Sequence, residues 1–228
     1  MDALHFIKSN FRFLSAGAIL QLSTCPGQTF FISIFAAQIM ADFSLSDGEW
    51  GTIYTIGTTA SAIAVFFAGT LSDRFRVRVL AWFVMPGLVV ACLLMGANQS
   101  SIMLIFVVFL LRFFGQGLMF QLAATAMARW FTRRRGLALS ISALGFAFGQ
   151  AFYPVFFATL LDHFNWRTLW VVAAALVLVA FPVILWLLTL ERTPSSLAES
   201  DSSTGMDGRH WTRKEVLRSP FFLLLAPM

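Results

Sequence analysis

IMLIFVVFLLRFFGQGLMFQLAATAMA, residues 102–128, is the stretch whose reading decides the fold of this chain. Arg112 is its one charge, and the rest is long and apolar enough for a helix to cross about 30 Å of hydrocarbon, which takes roughly 20 residues. Five further segments have the same character: Phe11 to Met40, Trp50 to Leu71, Val79 to Ala97, Gly136 to Leu161 and Thr168 to Leu190. None of them carries a charge at mid-depth. A guanidinium in the bilayer centre costs about 2.5 to 3.5 kcal/mol on insertion scales, so it normally faces protein or a water-filled cavity and has a partner. Arg112 is therefore the first candidate functional residue, and a transport path is the first hypothesis.

Composition agrees with a membrane fold. Hydrophobic residues make up 58% of the chain against 12% charged, well above the roughly 45 to 50% apolar content of soluble domains. The net charge of +5 would suit nucleic acid, but the basic residues occupy short loops between spans, so a nucleic-acid partner is not expected. Lys8, Arg12, Arg74, Arg76, Arg78, Arg129 and Arg133 to Arg135 share the side of the N-terminus, whereas Asp42, Asp47, Glu49 and Asp162 lie opposite with only Arg167. Cytoplasmic loops collect Lys and Arg, which predicts a cytoplasmic N-terminus and six crossings that return the chain to that side. Cys25 and Cys92 fall within spans, where a thiol acts as a small apolar group. Neither a metal nor a cofactor is expected. The many Phe residues are assigned to lipid or core.

Residues 1–190 thus read as an all-α, polytopic six-helix transmembrane bundle. From 191 to 218 the composition turns to Ser, Pro, Gly and charge, which predicts a cytoplasmic linker. Residues 219–228, SPFFLLLAPM, begin like a seventh transmembrane helix and stop. The economical expectation is the N-terminal half of a 12-helix protein whose C-terminal half is missing. Polar residues concentrate in the first, second, fourth and fifth spans, among them Gln28, Thr29, Tyr54, Gln116, Gln121 and Gln150, while the third and sixth spans are nearly bare. Two polar spans and one bland span, twice over, is the signature of a 3+3 inverted repeat. The polar helices are expected to line a cavity, with the third and sixth outside.

Three motifs carry a family resemblance. Gly69-Thr70-Leu71-Ser72-Asp73-Arg74-Phe75-Arg76-Val77-Arg78 resembles the signature loop of the major facilitator superfamily, roughly Gly-x-Leu-(Ala/Ser)-Asp-Arg-x-Gly-(Arg/Lys)-(Arg/Lys). Gly69, Leu71, Ser72, Asp73, Arg74 and Arg78 match, whereas Arg76 stands where the family usually has Gly. Arg112-Phe113-Phe114-Gly115-Gln116-Gly117 resembles a second signature of that family, and Arg133 to Ala138 with Gly145 to Gln150 resembles its bacterial monocarboxylate and oxalate–formate members. The resemblance implies a secondary transporter in a bacterial inner (plasma) membrane, a symporter or antiporter, with Gly69, Asp73, Arg74 and Arg78 gating the cytoplasmic side. Gly145 and Gly149 form a small-xxx-small face suited to close helix packing. Pro26 is placed to break the first helix and free backbone groups toward the cavity.

No Asp or Glu lies inside any span, so the transported molecule or the missing half has to answer Arg112. Charge complementarity points to a small organic anion such as a carboxylate. Arg112, Gln28, Gln116, Gln150 and Tyr153 are the expected substrate contacts. Two bland alternatives stand beside this: Arg112 as a staple bonded to helix carbonyls, and Tyr153 as a packing aromatic next to Pro154. An intramembrane enzyme is disfavoured, because Ser140 and Ser142 lack a nucleophile-elbow setting and His5, His163 and His210 lie outside the spans. A six-span scaffold or homodimer without transport activity is the remaining alternative.

Overall fold

The computed structural model describes residues 3–69, 75–131 and 134–190, all within one compact unit that runs from Met1 to Thr193. Asp73, Arg74, the linker at 191–218 and the expected seventh helix at 219–228 lie outside the described residues. Helix accounts for nearly all that is described, and no strand occurs among those residues.

The first hydrophobic segment is not one helix. It folds as α1 (Ala3–Ser23), a 3-10 turn (Cys25–Gly27), α2 (Thr29–Ile34) and α3 (Ala36–Asp42). Pro26 has no N–H to continue the ladder. The turn closes instead through the N–H of Gly27 donating to the Thr24 carbonyl at 3.0 Å and that of Gln28 to the Cys25 carbonyl at 2.9 Å. The break expected at Pro26 is present, and Phe35 adds a second interruption.

Among the described residues, five helices are long and apolar enough to cross a membrane: Asp47–Ala68 (α4), Val77–Ala97 (α5), the continuous stretch Ser101–Trp130, Arg135–Leu161 (α8) and Trp166–Leu187 (α9). The stretch Ser101–Trp130 divides into α6 (Ser101–Leu111), a π-helical segment (Arg112–Met119) and α7 (Phe120–Trp130). Local chemistry sets the helix starts. Ser46 and Glu49 form a capping box on α4, in which the Ser46 N–H donates to Glu49 Oε2 at 2.8 Å. Asn165 caps α9 by accepting from the Arg167 N–H at 2.9 Å.

An aromatic core joins the first, fifth and sixth segments. The Phe31 ring lies 4.8 Å from Phe157 and 5.2 Å from Trp170, and Phe35 lies 5.2 Å from Trp170. The two Phe31 pairs are edge-to-face and the Phe35 pair is tilted; aromatic pairs of this kind contribute about 0.5 to 1.5 kcal/mol each beyond their area. Within this unit the third span is the most buried of the five candidate spans, and α4 and α8 are the least. Ala81, Met85, Leu88, Cys92 and Met95 of α5 are fully buried, with α9 as that helix's main neighbour. An apolar helix can have most of its faces covered by neighbours, whereas α4 and α8 leave Thr52, Thr55, Thr59, Ser140 and Gln150 exposed.

At the end of the bundle opposite the N-terminus, three connections are tied together. Asp42 accepts from the Trp166 indole N–H at 2.8 Å and pairs with Arg167, whose Nη2 donates to the Asn98 carbonyl at 3.1 Å. The Trp166 hydrogen bond, and then the Arg167 guanidinium, hold the Asp42 carboxyl below the usual carboxylate range.

Candidate functional site

Two irregular segments cross at the middle of the bundle. The turn at Cys25–Gly27 meets the π-helical segment, and glycines carry the contact. A Cβ on Gly115 would lie 2.6 Å from the Gly27 Cα and 3.0 Å from its nitrogen, and one on Gly27 would run into the Leu111 carbonyl oxygen. Only two residues without side chains allow this approach. The wider π spacing is itself unusual, since π segments are mostly single-turn bulges found at functional sites.

Arg112 opens the π segment and is 8% exposed. Its Nη1 donates to the Thr29 Oγ1 at 2.9 Å and to the Gly27 carbonyl at 3.4 Å. The guanidinium therefore reads the backbone group that the break in the first segment set free. Its carbon also lies 5.7 Å from the centroid of the Tyr54 ring on α4, within reach of a cation–π attraction. The Tyr54 hydroxyl donates to the same Thr29 Oγ1 at 3.0 Å. Among the described residues no Asp or Glu pairs with Arg112. The contact with Gly27 is the kind a structural staple would make, so Arg112 holds the fold locally whatever else it does.

The other expected site residues are dispersed. Gln28 is buried, with its Nε2 donating to Thr24 Oγ1 at 3.4 Å. Gln116 is exposed on the π segment, its backbone nitrogen facing Gly27. Gln150 is exposed on α8. Tyr153 lies in the aromatic core, 5.8 Å from Phe31 and 5.6 Å from Phe157, where packing accounts for it. Gly69 follows the end of α4, and its carbonyl accepts from Gln121 Nε2 at 3.5 Å. Arg78 is exposed in the first turn of α5. Gly145 meets the Ala18 backbone of α1, and Gly149 meets the Cys25 sulfur.

Sequence reasoning named neither Thr29 nor Tyr54 as a site residue. Both stood in the polar inventory of the first two spans, but their convergence on Arg112 joins residues far apart in the chain. Nothing in the spacing marked them out from the other hydroxyl-bearing residues around them.

Comparison with known proteins bears on the same residues. The Major Facilitator Superfamily profile matches residues 17–228. Human monocarboxylate transporter 6 is 30% identical over 157 residues, which cover 68% of this chain and 29% of that protein. A gallate transporter of Pseudomonas putida is 25% identical over 158 residues, covering 69% and 35% respectively. The chain thus spans about a third of the length of these curated relatives. With five helices of membrane-crossing length and a profile match over most of its residues, this is a multi-pass integral membrane protein, and the chain belongs to the Major Facilitator Superfamily.

Proposed function

We propose that the chain is the N-terminal part of a secondary transporter that carries a small organic anion by alternating access, with Arg112 as the residue that meets the anion's charge. The broken first segment counts as one crossing in this reading, giving six crossings in a 3+3 inverted repeat, with the N-terminus cytoplasmic in a bacterial inner membrane. Residues 191–218 then serve as a cytoplasmic linker and 219–228 begin a seventh helix. Gln28, Gln116 and Gln150 supply neutral hydrogen-bonding groups on the cavity wall, with Tyr153 supporting it from the core. Gly69, Asp73, Arg74 and Arg78 gate the cytoplasmic side, and a second bundle closes the cavity. Relatives named as transporters of monocarboxylates and of gallate support transport over catalysis, and support an anionic cargo.

One observation carries this proposal: a buried guanidinium at a helix break, held by a carbonyl and a hydroxyl and answered by no described carboxylate. A cation so held keeps a net charge that neutral partners do not cancel, and an anion would. The test is uptake of radiolabelled carboxylates by the full-length protein in vesicles. Replacing Arg112 with Gln removes a charge-assisted contact of about 1.5 to 3 kcal/mol, so uptake should fall about ten- to a hundredfold with the protein still folded. Undiminished uptake by that variant contradicts the proposal.

A further inference from the structure

Thr29 is exposed, yet its hydroxyl oxygen receives two donors that come from different helices. A guanidinium N–H arrives from the π segment at 2.9 Å and a phenol O–H arrives from α4 at 3.0 Å. Both are stronger donors than a neutral hydroxyl usually attracts, and a carboxylate oxygen is the acceptor that such a pair suits best. Trp50, one turn before Tyr54 with ring centroids 6.0 Å apart, packs beside the phenol.

We infer that Tyr54 is a carboxylate-binding residue that acts together with Arg112, and that Thr29 Oγ1 holds the place of a substrate carboxylate oxygen when the site is empty. This rests on the anion reading given above and names a second residue and a ligand class for it. When a monocarboxylate arrives, one of its oxygens takes the two donors over, and Thr29 gives them up. The guanidinium keeps the Gly27 carbonyl contact, so the site changes partners without moving the helices. Tyr54 then discriminates for an acceptor oxygen at one position and against neutral molecules that place a donor there.

The inference separates two conservative substitutions that a purely structural role would not separate. Tyr54→Phe and Thr29→Val each remove the 3.0 Å hydrogen bond, and Thr29→Val also removes the 2.9 Å bond from Arg112. If that bond only stabilises the fold, both variants shift binding in the same direction. As a carboxylate seat with a placeholder, Tyr54→Phe loses a donor to the ligand, and Thr29→Val loses only the competitor.

The experiment measures equilibrium binding of acetate, lactate and benzoate, with the matching amides as neutral controls, to the full-length protein in detergent. The expected result is carboxylate binding weakened about fivefold or more by Tyr54→Phe and unchanged or tightened by Thr29→Val, a fivefold change being the size of one net hydrogen bond. The amides should bind poorly to all forms. Loss of binding in Arg112→Gln with no change in Tyr54→Phe overturns this inference and leaves the anion reading intact. Equal weakening by Tyr54→Phe and Thr29→Val overturns it in favour of a structural bond. Absence of carboxylate binding to the unaltered protein overturns both.

Discussion

Gly115→Ala tests whether the crossing of the two irregular segments organises the site. The added methyl would stand 2.6 Å from the Gly27 Cα, 3.0 Å from the Gly27 nitrogen and 3.2 Å from the Thr24 carbonyl oxygen. All three are backbone atoms, so no side chain can swing aside. Restoring ordinary contact requires the segments to part by the better part of 1 Å, and overpacking of this kind costs about 1 to 3 kcal/mol. The Arg112 to Gly27 contact is already 3.4 Å long, so the same retreat breaks it. Melting of the full-length protein in detergent should drop by several degrees, at about 2 to 4 °C per kcal/mol for a domain of this size. Carboxylate binding should fall with it. Gly136→Ala is the control, because a Cβ there meets nothing within 4 Å; it should melt with the unaltered protein or slightly above it, in line with the better helix propensity of Ala. If the two variants melt together, the crossing is looser than described and the argument from it fails.

Three other perturbations have defined outcomes. Pro26→Ala returns an N–H to the turn, lets α1 run on and carries the Gly27 carbonyl away from Arg112 and Gly115; carboxylate uptake and the melting temperature should fall together. Asp42 has its carboxyl lowered by Trp166 and Arg167, so its contribution is present above the ordinary Asp value of about 4 and is lost as pH falls through the lower folded value. The pair is partly exposed and contributes about 1 kcal/mol at most. Unaltered protein should lose slightly more melting temperature between about pH 5 and pH 3 than Asp42→Asn. Arg12 donates from Nε to the Leu187 carbonyl at 2.9 Å and from Nη2 to the Trp186 carbonyl and Thr189 Oγ1, so it caps the C-terminal end of α9. Arg12→Gln should speed hydrogen exchange in that turn about fivefold, the equivalent of roughly 1 kcal/mol.

The five membrane-crossing helices among the described residues were legible in the sequence because length and apolarity alone set them. So was the break at Pro26, which follows from a missing N–H. The π segment was not, since Arg112 to Met119 has no composition that distinguishes wide from ordinary helical spacing. The meeting of Gly27 with Gly115 was hidden for a different reason: each glycine is visible, but their pairing depends on how two distant segments pack. Arg112 stood out because a charge in an apolar run is expensive. Thr29 and Tyr54, which give that charge its local partners, are ordinary in sequence and acquire meaning only from distance.

Thiol accessibility tests most directly whether this cation borders a wet interior surface. Cys25 and Cys92 are buried, so Gln116→Cys and Gln150→Cys can be probed in membranes with an impermeant anionic methanethiosulfonate, with Val179→Cys, 69% exposed on α9, as the lipid-facing control. Labelling of positions 116 and 150 that a bound carboxylate slows, beside a silent position 179, is the predicted result. Positions 116 and 150 as unreactive as 179 would contradict a solvent-reachable path past Arg112.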